Sequence, residues 1–121
     1  MENTSPSPAK NSYCQTSPDE AAGTHFYAET VIAPAAVVRC FGDGDQGDGC
    51  KISRNWVFRK GDLVFTLYDW KSTDLYERGT WTSEEMWSSK EPFPLHIGSR
   101  EPATREDALD FADYLQKVTS E

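Results

Sequence analysis

From Asn55 to Trp70 (NWVFRKGDLVFTLYDW), bulky apolar side chains alternate with smaller or polar ones. A period of two belongs to strands with one buried face, because successive side chains of a strand point to opposite sides. Trp56 and Phe58 lead into Lys60-Gly61, and Leu63, Phe65 and Leu67 lead out. The pattern predicts a β-hairpin over residues 52–70 at the centre of a small antiparallel sheet of about four strands. With Lys60-Gly61 as a two-residue turn, Arg59 faces Asp62, Phe58 faces Leu63, Trp56 faces Phe65, and all the bulky groups share one side. The other side then carries Val57 with Val64, Asn55 with Thr66 and Ser53 with Tyr68. It also brings Lys51 near the ring of Trp70, within reach of a cation–π contact. Lys60 suits the positive φ of a type I′ turn poorly, so a three-residue loop with Gly61 in a bulge, slipped by one residue, is the alternative.

The pattern changes on either side of this hairpin. Residues 24–41 (THFYAETVIAPAAVVRCF) are apolar and β-branched, interrupted by Pro34. They predict two extended segments, Phe26–Ile32 and Ala36–Phe41, the second a central strand, with a helix over 28–32 as the competing assignment. FGDGDQGDGC, which follows, reads as a loop. Thr82 and Glu85 have the spacing of a capping box, which predicts a short helix near 83–89 stopped before Pro92. FPLHIG predicts a strand ended by Gly98, with Leu95 and Ile97 inward and His96 on the opposite face. Thr104 caps a C-terminal amphipathic helix over 104–118, whose apolar stripe is Ala108, Leu109, Phe111, Ala112, Leu115 and Val118. The fold class is therefore α+β, with residues 24–121 as a single domain. Residues 1–23 are rich in Ser, Pro, Thr and Asn and poor in large apolar groups, which predicts a disordered tail. Tyr13 is its one candidate docking residue.

Composition narrows the function more than the fold. The formal net charge is −8, and the basic residues are scattered among acids, which argues against direct binding of nucleic acid. No apolar run is long enough for a membrane span, and the first residues lack the basic and apolar regions of a secretory signal, so a cytoplasmic protein is expected. Asp43, Asp45 and Asp48 offer oxygen donors, yet the positions that an EF-hand fills with its third acid, its glycine and its glutamate hold Gly47, Asp48 and Arg54, so no metal site is expected. Cys40 and Cys50 flank that loop and could approach each other. An intracellular setting favours free thiols, and Cys14 has no evident partner. No cofactor motif is present: there is no G-x-G-x-x-G, Walker loop, H-E-x-x-H or G-x-S-x-G.

Two groups of residues remain as candidate sites. His96, Ser99 and Arg100 form a ligand-binding candidate, with Asp69 as a conceivable third member of a hydrolase arrangement that the spacing does not support. The aromatic surplus is the other. Four Trp, five Tyr and six Phe exceed what a core of this size must bury, so Tyr68, Trp70, Tyr76 and Trp81, with Lys71, are candidates for an interaction surface.

Phe41-Gly42, Gly47-Asp48, Trp56, Phe65-Thr66-Leu67-Tyr68-Asp69-Trp70-Lys71 and Leu95-His96-Ile97-Gly98 occur in a succession that resembles a group of short phage and viral proteins. The resemblance covers residues 41–98 and implies a small accessory or host-directed viral protein. It carries no activity or site residue with it. The leading expectation is a non-enzymatic, acidic protein-interaction module with a protein partner. The alternatives are an acidic inhibitor or nucleic-acid mimic presenting Glu84, Glu85, Glu106, Asp110 and Asp113, and a small enzyme or ligand-binding domain using the His96–Arg100 region. The oligomeric state is left open.

Overall fold

A computed structural model describes residues 13–46, 52–70 and 82–120. In chain order the elements are β1 (Cys14–Gln15), one turn of 3-10 helix (Pro18–Ala21), β2 (His25–Ile32), α1 (Pro34–Phe41), β3 (Asp45–Gln46), β4 (Arg54–Lys60), β5 (Leu63–Tyr68), α2 (Ser83–Trp87), β6 (Phe93–Ser99) and α3 (Arg105–Thr119). The antiparallel sheet has the order β1-β4-β5-β6-β2, and β3 also pairs with β4. Four long strands carry it, with two-residue strands added at one edge, so the α+β class and the central hairpin hold.

The hairpin turn differs from expectation by one step. Lys60 pairs with Leu63, Phe58 with Phe65, Val57 with Thr66, Trp56 with Leu67 and Asn55 with Tyr68. The loop is Gly61-Asp62, which gives the positive-φ position to glycine (φ 60° at Gly61) and spares Lys60 that conformation. Each residue of β4 thus meets a partner two positions further along β5 than expected. A shift of two keeps every side chain on its expected face.

That face is where the helices pack. Trp56, Phe58, Phe65, Leu67, Leu95, Ile97 and Ala28 meet Val37 of α1, Met86 and Trp87 of α2, and Ala108, Phe111 and Leu115 of α3 in one buried cluster. Phe111 stacks on Phe65 at 4.9 Å between ring centroids. Both capping boxes form, Thr82 with Glu85 and Thr104 with Asp107. Leu109, counted in the apolar stripe of α3, is instead 41% exposed.

Three other expectations are corrected. Residues 36–41 lie in a helix, because Pro34 occupies its first turn, where a missing N–H costs nothing, and the alanines that follow favour the helix. Val37 then points into the core. Asp45 and Gln46 pair with Asn55 and Arg54 where a loop was expected; residues 47–51, including Lys51 and Cys50, lie outside the described residues. Tyr13 to Gly23 belong to the domain. The Tyr13 ring packs 4.5 Å from Tyr114, 5.1 Å from Phe111 and 5.8 Å from Phe65, and burial together with Asp110, Asp107 and Asp113 pushes its hydroxyl pKa up to about 12. Cys14 and Gln15 pair with Arg59 and Phe58. Residues 1–12 lie outside the described residues.

Beyond β5, Asp69 is fully buried. Its carboxylate accepts hydrogen bonds from the Ser53 N–H (2.8 Å), the Ser53 hydroxyl (2.9 Å) and the Arg54 N–H (3.1 Å), and Trp87 Nε1 donates to the same hydroxyl (2.9 Å). The strand β4 and the helix α2 are thus tied to one side chain. Burial raises the Asp69 pKa above its usual 3.8 despite these donors, so the folded protein holds a proton to higher pH than the unfolded chain. Stability from this residue therefore falls as pH rises from about 4 through the folded pKa. Asp69→Ala strands two backbone donors and is expected to cost about 2–4 kcal/mol in urea denaturation. The advantage of wild type over Asp69→Asn is expected to be largest near pH 4 and to shrink as the pH rises.

Candidate functional site

All three helices cover one face of the sheet, so the opposite face must be covered by something else or stay open. Its residues are those that alternate with the core positions: Asn55 and Val57 on β4, Val64, Thr66 and Tyr68 on β5, His96 and Gly98 on β6, and Phe26 and Glu29 on β2. The 3-10 turn packs across β4 and β5. Ser17 caps it by accepting from the Asp19 N–H, and Arg100 donates to the carbonyls of Glu20 and Ala22. Glu20 also pairs with Arg59 at 3.1 Å, an exposed contact worth under about 1 kcal/mol.

Between this turn and the sheet lies a cavity of about 740 Å³, open on one side. Pro18 and Ala21 of the turn form one wall and Ile52 and Asn55 another, while Thr66, Tyr68 and His96 form the floor and Phe26 and Trp70 the rim. His96 is the centre of an aromatic group. Phe26 lies 4.6 Å from it, Tyr68 5.6 Å, and Trp70 lies nearly parallel at 5.9 Å. Phe26 is 53% and Trp70 39% exposed. The Thr66 hydroxyl is buried with no hydrogen-bond partner among the described residues, a state that costs about 1–3 kcal/mol.

The expected site residues divide accordingly. Tyr68, Trp70 and His96 come together, whereas Lys71, Tyr76 and Trp81 lie outside the described residues. Ser99 and Arg100 do not join His96. Strand alternation puts Ser99 on the core face, fully buried, where its hydroxyl donates to the Val64 carbonyl at 2.6 Å. Arg100 is committed to holding the turn. Asp69 is bound to Ser53 and Arg54, so the hydrolase arrangement does not assemble. Among the described residues no three His, Cys, Asp or Glu side chains are placed to share a metal ion, and the thiols of Cys14 and Cys40 are free. No described helix is long and apolar enough to cross a membrane. Glu84, Glu85, Glu106, Asp110 and Asp113 are exposed but away from the cavity, and Glu85 is occupied in capping, which lowers its pKa.

Sequence reasoning missed Pro18, Ala21, Phe26, Asn55 and Thr66. Two signals were present: Ser17-Pro18-Asp19-Glu20 has the cap, first-turn proline and acids of a helix start, and a glycine inside a strand, such as Gly98, marks close approach. No protein-family model matches the chain, and no curated protein matches it significantly.

Burial lowers the His96 pKa below its usual 6.5, and Glu29, whose carboxylate is 3.6 Å from Nε2, opposes the shift. The imidazole is therefore neutral at pH 7. Because the unfolded chain takes up this proton first, the stability His96 contributes is present above about pH 6.5 and is lost as the pH falls through its folded pKa. An NMR titration of the imidazole is expected to give a midpoint below 6.5 in wild type and lower still in Glu29→Gln.

Proposed function

We propose that this protein is a non-enzymatic ligand-binding module whose site is the cavity on the face of the sheet opposite α1, α2 and α3. The observation that carries this reading is the cavity itself, with ring faces on its floor and rim and a buried hydroxyl at its base. Its size lies within the 300–1,000 Å³ typical of small-molecule sites. Catalysis has less support, because His96 has neither Ser99 nor Asp69 beside it. The resemblance to short phage and viral proteins fits an accessory role for such a module.

A second reading keeps the same face and changes the occupant. Phe26 and Trp70 are half exposed on the rim, which suits an aromatic anchor for a protein partner. An acidic-mimic role would instead use the outer side of α3, and its binding would weaken steeply with salt.

A fragment screen followed by protein-observed NMR distinguishes these readings. Binding fragments are expected to perturb the amides of Phe26, Thr66, Tyr68, Trp70 and His96, with affinities unchanged between low and moderate salt. A Phe26→Ala/Trp70→Ala variant is expected to lose about 1 kcal/mol or less of stability, since both side chains are half exposed, and to lose those fragments. Perturbations scattered over the surface, or retained by the double variant, would remove the cavity as the site.

A further inference from the structure

Among the described residues, Phe26, Val31, Trp70 and Leu109 are the large apolar side chains that the fold leaves exposed. Phe26 and Trp70 belong to the cavity rim. Val31 and Leu109 do not, and they stand on opposite sides of one feature, the outer edge of β2.

β2 ends the sheet, and among the described residues it pairs with β6 alone. Val31 lies opposite Pro94, which has no N–H to give, and the Val31 carbonyl instead accepts from Gln116 Nε2 at 2.7 Å. The N–H and carbonyl of Val31 therefore point away from β6, and by alternation so do those of Glu29. Such an edge is open to another strand unless Lys, Pro or a bulge blunts it. The bulge of β2 falls before Ala28, and from Ala28 to Ile32 the register is regular and holds neither Lys nor Pro.

The helix layer follows the same edge. Tyr27 donates to the Ala103 carbonyl (3.1 Å) and Gln116 to Thr30 Oγ1 (3.1 Å), so α3 runs along β2 from one end to the other. Gln116 marks the side of α3 that faces the edge, and Leu109, two turns earlier, lies on that side. Arg105 and Asp113 stand one turn before and one turn after Leu109. Both are exposed, and neither forms an ion pair among the described residues. A two-fold axis beside Leu109 sets this side chain against its own copy and brings Arg105 of each chain to Asp113 of the other. The stripe is thus self-complementary, as a two-fold contact requires. A lone extended peptide could lengthen the sheet but would bring no second helix to cover Leu109, so the two layers together select another copy of this chain.

We propose that this protein forms a two-fold dimer in which β2 pairs antiparallel with β2 of a second copy and the α3 helices meet at Leu109. Pairing centred on Thr30 sets Glu29 opposite Val31 of the second copy and keeps the two glutamates from facing each other. The dimer neither needs nor excludes an occupant of the cavity.

Sedimentation equilibrium of the full chain is expected to show the mass rising to twice that of one chain between about 1 μM and 1 mM. Hydrogen exchange at the Glu29 and Val31 amides is expected to slow over the same range. Val31→Pro removes a donor that points away from β6, and Leu109→Lys puts a charge at the helix contact. Each is expected to weaken association by about tenfold or more, while Leu109→Lys keeps the wild-type urea midpoint and decides the matter if Val31→Pro fails to fold. Arg105→Asp and Asp113→Arg are each expected to weaken association by about five- to tenfold, and the double swap to restore it. About two turns apart on one helix, these side chains do not touch within a chain, so restoration reports contact between copies. A chain that stays monomeric at about 1 mM would overturn the proposal, as would a dimer that Leu109→Lys leaves unchanged. Masses that keep rising past two chains would overturn the closed two-fold arrangement. A double swap that restores nothing would overturn the meeting of the helices at Leu109.

Discussion

The strand β5 is buried along nearly its whole length and on both faces, and the rest of the structure follows from that constraint. From Val64 to Tyr68 every residue is buried, so β5 must be interior to the sheet and something must cover each side. Phe65 and Leu67 meet the helices. Val64, Thr66 and Tyr68 meet no α-helix among the described residues, because the core stripes of α1, α2 and α3 all serve the other face. The N-terminal segment supplies the missing cover, crossing the sheet edge at β1 and laying the 3-10 turn over β4 and β5. A single turn is smaller than a helix layer, and the cavity is the part of the face that it leaves uncovered.

Thr66 places a buried hydroxyl where, among the described residues, no hydrogen-bond partner meets it. Making position 66 apolar would remove the unpaired hydroxyl and improve the fold by ordinary packing rules, whereas a Cβ at residue 98 would stand only 2.5 Å from Thr66 Oγ1 and cannot be accommodated without a shift. Local departures from the best-packed solution tend to mark functional positions, whereas Gly98 is the residue that its close neighbours require. His96 adds a polar group to the same floor, held neutral by its burial.

Local periodicity made half of this architecture legible. The alternation in Trp56–Leu67 and in Leu95–Ile97, and the helical stripe ending in Leu115, depend on each residue's own neighbours, so faces and element types could be read directly. The turn at Gly61-Asp62 was missed because parity survives a two-residue shift, which leaves the apolar pattern unable to choose between registers. The helix α1 was misread because Val37 and Val38 favour strands on propensity, while the decisive features were Pro34 in the first turn and the packing of Val37. The N-terminal segment was misread for a different reason. Its polar composition cannot bury much surface alone, and its anchors are donors far along the chain, Arg59 and Arg100, together with the aromatic slot that receives Tyr13. Tyr68, Trp70 and His96 were visible as aromatics on the polar-faced side. Thr66 and Phe26 became site residues only once β6 lay between β5 and β2.

The Arg100 clamp has a consequence for the order of assembly. Arg100 donates to carbonyls 80 and 78 residues earlier in the chain, so the wall formed by Pro18 and Ala21 can close only after the last strand has been made and docked. Contacts of such long sequence separation form late in folding. The same contacts can open without dismantling the sheet, since the wall shares no helix with the core. An occupant of the cavity would touch both wall and floor and would shift that local opening toward the closed form by mass action. Ligand and N-terminal segment would thus order one another, and the eleven residues from Tyr13 to Gly23 would behave as a latch whose hold depends on what lies beneath it.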